Sequence, residues 1–181
     1  MTMPWKRTAN KVLIAITAML VLSGCSAMRS VSKSLGHKEV FTEIFIEATP
    51  EEVWAVITDA PAYADWNPVI VKAEGDYEMG AKINNLVVEK DKDPVEIKSR
   101  VELFAPPNHL NQFGGYVGVI TFDHHYILEA VDGGTRVIQR EDYTGFYVHF
   151  WDAEWMTPAY QSVNEALRDE VLRRKAAKAG S

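Results

Sequence analysis

The sequence predicts an α+β domain, an antiparallel sheet with its helices segregated to one side. Three observations predict it. A helix with a complete start signal follows a single strand near residue 50. Alternating apolar and polar runs then occupy the chain to about residue 146, and a long amphipathic helix closes it.

Each element has its own reason. Glu39 to Ala48, EVFTEIFIEA, alternates and is rich in Phe and Ile, the pattern of a strand. Thr49, Pro50 and Glu52 then supply an N-cap, a first-turn proline and the return partner of a capping box. Val53, Trp54 and Ile57 share one face of the helix they open. APAYADWNP breaks this helix and leaves room for one short turn before Pro68. VIVKAE and KINNLVVEK flank a turn at Gly75 to Gly80, and Val95 to Phe104 alternates as a further strand. PPNH turns the chain. LNQFGGYVGVITF is ambiguous, because Gly114, Gly115 and Gly118 weaken a strand. FDHHYILEAV and TRVIQREDYTGF flank Asp132-Gly133-Gly134, a hairpin signal. Tyr160, Val163, Leu167 and Val171 recur at helical spacing after Thr157-Pro158, which reads as a cap and first helical position. Asp169 to Arg173 and Glu170 to Arg174 are favourable i,i+4 pairs, and KAAKAGS is expected to fray.

The start of the chain follows other rules. Lys6, Arg7 and Lys11 precede an apolar run, Val12 to Leu22, that is too short to span a bilayer. The run ends Leu22-Ser23-Gly24-Cys25, and Cys25 is the only cysteine. This resembles the lipobox of bacterial lipoproteins. The resemblance implies a signal peptide over 1–24, diacylglyceryl attachment at Cys25, and cleavage before it. Ser26 in the next position implies, by the same resemblance, the periplasmic face of the outer membrane. Residues 25–38 are expected to form a poorly ordered, lipidated tether. Residues 39–176 would then be the domain and 177–181 a tail.

Processing before Cys25 leaves 157 of 181 residues, enough for one domain with a sizeable core. It also leaves 16 of the 19 Lys and Arg against 25 Asp and Glu, a formal charge of −9. Such a chain is repelled by phosphate backbones, and no basic stripe interleaves with aromatics, so no nucleic-acid partner is expected. Attachment to a membrane would rest on the lipid at Cys25 and not on charge.

ATPEEVWAVITDAPAYADWNPVI, FDHHYILEAVDGGTRVIQREDYTGF and VNEALRDEVLRR, taken in this order, resemble the START-like superfamily, also called SRPBCC or polyketide cyclase/dehydrase. The resemblance spans roughly 40–174. It implies the helix-grip fold: a curved seven-stranded antiparallel sheet holding a long C-terminal helix, with two short helices after the first strand. It further implies a hydrophobic small molecule or lipid in the cavity between sheet and helix. The aromatic segment 147–156, YVHFWDAEWM, departs from the family pattern at the expected cavity entrance.

Alternation assigns His124, Tyr126 and Leu128 to one face, and Val137, Gln139, Glu141 and Tyr143 to one face of the next strand. Leu128 and Val137 suggest that both faces are the inner one. The ligand-binding candidates are therefore Trp66, Phe113, His124, Tyr126, Gln139, Glu141, Tyr143 and Trp155. Glu141 is also the candidate acid or base, since a carboxyl buried beside tyrosines has a raised pKa. The alternative is that Glu141 lies at the strand end and pairs with a surface Lys or Arg. His124 and His125 point to opposite faces and cannot share an ion. No metal and no cofactor is expected. Three functions stay open: a lipid-anchored binding protein for an apolar molecule, a cyclase-, dehydratase- or hydrolase-like enzyme using Glu141, and an envelope interaction scaffold.

Overall fold

A computed structural model describes residues 27–89 and 92–180. Cys25, the apolar run and residue 181 lie outside the described residues.

Residues 27–35 form a helix, α1, where a loose tether was expected. The first strand, β1 (His37–Ile46), follows at once, so the domain begins two residues before the expected boundary. Helix α2 (Pro50–Ile57) opens with the capping box read from sequence. Thr49 Oγ1 accepts from the Glu52 amide, and the Glu52 carboxylate accepts from the Thr49 amide at 2.9 Å. Two reciprocal bonds satisfy two otherwise orphan donors. A 3-10 turn over Ala60–Ala62 leads into one short turn of helix, α3 (Tyr63–Trp66).

Six strands follow: β2 (Ile70–Glu74), β3 (Lys82–Val87), β4 (Val95–Ala105), β5 (His109–Tyr116), β6 (Ile120–Val131) and β7 (Gly134–Thr144). All pairs are antiparallel in the order β1-β7-β6-β5-β4-β3-β2. The ambiguous glycine-rich segment is the β5–β6 hairpin. Its glycines sit at the strand end and in the turn, where Gly118 takes φ +84°. Gly133, at φ +79°, makes the predicted β6–β7 turn.

A second 3-10 turn, Phe146–His149, precedes helix α4 (Met156–Ala179). It hangs on Gly145, whose φ is +122°; a Cβ there would lie 2.4 Å from the Val119 carbonyl oxygen. Helix α4 starts before Thr157, and no side chain caps it. It stays regular through Ala179, well into the segment expected to fray. Of the two expected i,i+4 pairs, Glu170–Arg174 forms at 2.6 Å, whereas Arg173 turns to Glu170 and Asp169 pairs with Arg168. Glu170 is more buried than Asp169, so it attracts both guanidinium groups.

Helix α4 packs on β1, α2 and α3. The main core lies between these helices and the concave face, with Ile46, Val53, Ile57, Leu128, Val137 and Leu167 fully enclosed. A second small cluster of Val40, Tyr143, Val148 and Met156 closes the end where α4 begins. The convex face carries ion pairs instead, among them Arg136 with Glu43 and Glu129. Among the described residues no helix is long and apolar enough to cross a membrane. Leu167 joins α4 to the sheet with no exposed surface. Leu167→Ala should cost about 2–5 kcal/mol in urea unfolding, the usual cost of a large-to-small core change.

Candidate functional site

Since α4 leans toward β1, it does not fill the concave face over β3, β4 and β5. A cavity of about 780 Å³ remains there. It runs from Tyr126 and Gln139 at the inner wall to Gly115, Tyr116, Val95 and Trp155 toward the β3–β4 and β5–β6 turns. Antiparallel pairing puts both turns at the same end of the sheet.

The inner wall carries a connected polar chain. His124 and Glu141 are direct cross-strand partners, as are Tyr126 and Gln139. Gln139 Nε2 donates to Asn164 Oδ1 at 2.6 Å, and Asn164 Nδ2 donates to Thr42 Oγ1 at 3.0 Å. The amide of Gln139 is thereby oriented, so its Oε1 is left to accept from His124 Nε2 at 3.3 Å. This selects the tautomer with the proton on Nε2 and leaves Nδ1 as an acceptor. Burial pushes the His124 pKa down to about 4, so the ring is neutral at pH 7.

Glu141 is buried and lines the cavity. Tyr143 and Tyr160 both donate their phenol protons to one of its oxygens, Oε2. Among the described residues no hydrogen bond reaches Oε1. Burial pushes the carboxyl up to about 8; the Tyr143 hydrogen bond opposes this, and Asp123 and Asp142 add to it. At pH 7 the site therefore holds a neutral carboxylic acid, with a proton to offer from Oε1. The indole Nε1 of Trp155 is buried without a partner beside the same cavity, as is Asn85 Oδ1. Such atoms cost free energy while unpaired, and a ligand that pairs them recovers it.

The structure brings together six of the eight candidate side chains: His124, Tyr126, Gln139, Glu141, Tyr143 and Trp155. Glu141 pairs with tyrosines and not with a surface cation. Two candidates lie elsewhere. Phe113 is on the convex face, opposite Asp123, with the Arg29 guanidinium 3.9 Å from its ring centre. Gln112, one residue earlier, takes the concave position. Trp66 packs against Tyr63 at 5.1 Å between ring centres, and Tyr63 is the one that reaches the cavity. Sequence reasoning missed Tyr160 and Asn164. In the sequence Tyr160 reads as part of the apolar stripe of α4. Asn164, beside Val163 on the buried side of the helix, was the available signal.

On the convex face His37, Glu39 and Asp142 bring three possible ligand atoms within 4.8 Å of one another. Arg140 lies 3.4 Å from Glu39 and 2.8 Å from Asp142, and Lys33 is 3.7 Å from Asp142. The carboxylate charge there is already compensated. His109 and His125 also meet on this face, at 2.9 Å, a pairing that sequence spacing does not show.

A curled sheet, a long helix over one side and a hollow between them define a helix-grip fold with an internal cavity. Comparison with known families agrees. The family described as polyketide cyclase/dehydrase and lipid transport matches residues 37–172, and this chain belongs to it. No curated protein sequence matches the chain. Solved structures share the fold at low identity. The Zhui aromatase/cyclase of Streptomyces sp. R1128 is 16% identical, with TM-score 0.64 over 77% of this chain and 96% of that one. The di-domain ARO/CYC StfQ of the steffimycin pathway is 9% identical, with TM-score 0.70 over 91% and 62%. Norcoclaurine synthase of Thalictrum flavum, solved with dopamine and hydroxybenzaldehyde, is 17% identical, with TM-score 0.61 over 76% and 88%.

The two titrating groups act on stability with opposite signs. The raised Glu141 pKa gives stability that is lost as pH rises from about 4.5 toward 8. The lowered His124 pKa gives stability that is lost as pH falls below about 6.5. Between pH 6.5 and 8 Glu141 acts alone of the two. Urea unfolding should show stability falling by roughly 1.5–2 kcal/mol across that window. Glu141→Gln should flatten the slope.

Proposed function

We propose that this is a lipid-anchored protein of the bacterial envelope that holds an apolar small molecule or lipid in the cavity. The observation that carries this reading is the 780 Å³ hollow with its single neutral acid at the wall. Mostly apolar walls with a few convergent polar groups suit an apolar body bearing one oxygen. That oxygen accepts from Glu141 Oε1, and a ketone, ester or protonated acid would serve. The pattern around Cys25 supports the anchor, and Ser26 supports the periplasmic face of the outer membrane. Native mass spectrometry of the gently purified chain tests the reading. A bound mass of lipid or metabolite size is expected. A bare protein that stays bare after exposure to envelope lipid extract would overturn it and favour the interaction scaffold.

One observation favours a second reading. Glu141 as proton donor faces His124, whose Nδ1 is a free acceptor, directly across the strand pair. A donor and an acceptor so placed suit acid–base chemistry on a carbonyl compound, as in a cyclase or dehydratase. Under this reading Glu141→Gln abolishes turnover of the identified ligand while ligand uptake by native mass spectrometry persists. Turnover unaffected by the change removes Glu141 from the chemistry.

A further inference from the structure

Helix α1 is packed the wrong way round for a soluble protein. Its polar and small residues face the domain. Arg29 reaches Glu102 at 2.5 Å, and Lys33 lies 3.7 Å from Asp142, both on the convex face. Ser32 Oγ accepts from the Gly118 amide at 3.2 Å and from Thr144 Oγ1 at 3.0 Å. Gly36 accepts from the Gly145 amide at 3.0 Å, and a Cβ on it would meet the Gly145 oxygen at 2.6 Å. Met28, Val31 and Leu35, spaced three and four apart, form one stripe, and all three are exposed. At 100° per residue, this stripe lies on the flank next to Ser32, the side of the β5–β6 turn, and away from Arg29 and Lys33. An apolar stripe normally faces a core.

The stripe is continuous with two more exposed apolar segments. Tyr116, Val117 and Val119 project from the β5–β6 turn, and Phe146, Tyr147 and Phe150 from the turn before α4. Backbone bonds staple the two together: Phe146 N donates to Gly118 O at 3.1 Å and Tyr147 N to Val119 O at 2.9 Å. His149 Nε2 lies 2.8 Å from the Leu35 oxygen, which ties α1 to the same end. These three segments supply nine of the fourteen large exposed hydrophobic residues among those described. YVGV and GFYVHF hold no Asp, Glu, Lys or Arg, in a chain where 24% of residues are charged. Apolar patches of this kind mark contact with a partner or a membrane. Gly115, Tyr116, Ile120 and Trp155 belong at once to this end and to the cavity lining, so the patch forms one rim of the cavity mouth, and the β3–β4 side with Glu89, Lys92 and Asp93 forms the other.

What covers it follows from the chain that leads into α1. Cys25 is three residues before Met28, at most about 11 Å along an extended chain. We infer that this end of the domain is a membrane-contact surface, seated on the lipid of the bilayer that holds Cys25, with the apolar rim of the cavity mouth against the bilayer. An apolar ligand then passes between lipid and cavity without crossing water. The aromatic-rich make-up of the patch, whose two turns carry no Asp, Glu, Lys or Arg, suits a neutral lipid interface, where Tyr and Phe rings settle and an acidic protein is not repelled. The inference rests on the lipid anchor proposed above.

The test uses the full chain matured in a bacterial host and reconstituted with phosphatidylcholine vesicles. Nitroxide labels are placed singly at V31C, F150C and, at the opposite end of the sheet, M79C. Circular dichroism confirms that each variant folds. Vesicle flotation reads the anchor, and oxygen against nickel-chelate collision rates read lipid contact. The expected result is flotation, with several-fold higher oxygen-to-nickel ratios at positions 31 and 150 than at 79. Flotation with equal, water-like ratios at all three positions would overturn the contact surface and leave the anchor standing. A chain that does not float overturns both. Spin–spin broadening at positions 31 and 150 in detergent, without vesicles, would assign the surface to a second copy and overturn membrane contact.

Discussion

The architecture depends on one clamp, the hydrogen bonds that fix Asn164 of α4 to Gln139 of β7 and Thr42 of β1. A buried amide must satisfy its donors and acceptor, and Asn164 does so only with the helix held over the β1–β7 side. The helix therefore cannot settle centrally into the curled sheet. The hollow over β3, β4 and β5 is the consequence. A hydrophobic residue at 164 would allow α4 to slide, since dispersion contacts are not directional. The clamp also orients Gln139, and Gln139 in turn selects the His124 tautomer. One polar contact thus sets both the shape of the cavity and the protonation of its wall.

The electrostatics of that wall follow from exclusion of water. A carboxyl in water would be ionised at pH 7. At position 141 the loss of solvation outweighs the help of a phenol donor, and the proton stays. The same desolvation acts on His124 with the opposite consequence, because there it removes a proton. Two neighbours on paired strands are therefore both neutral, one a donor and the other an acceptor. Since neither carries charge, an apolar molecule can share the space with them at low cost.

The molecule is also polarised along its strands. One end has the tight β6–β7 and β4–β5 turns. The other has the cavity mouth, the exposed aromatic turns and α1, which arrives from Cys25. Gly145 and Gly36 make the crowded junction there, where any side chain would collide with backbone. Helix α1 and the opening share one end because β1 begins where β7 finishes, a result of antiparallel pairing alone.

By itself the sequence determined what depends on short-range rules. The capping box at Thr49, the Gly133 turn, the helical spacing from Tyr160 to Val171 and the period-two alternation of β6 and β7 all act within a few residues. From that alternation alone, His124, Tyr126, Gln139, Glu141 and Tyr143 could be assigned to the inner face. The tertiary structure alone decided what depends on distant partners. Phe113 faces outward because the register of β5 on β6 puts Gln112 inside. Tyr160 meets Glu141 only after α4 crosses the sheet, and the expected tether at 27–35 becomes a helix only with Glu102, Gly118 and Thr144 to bind it. Alternation gives the parity of a strand, but register, helix crossing and docking are settled between segments that lie up to 128 residues apart in the chain.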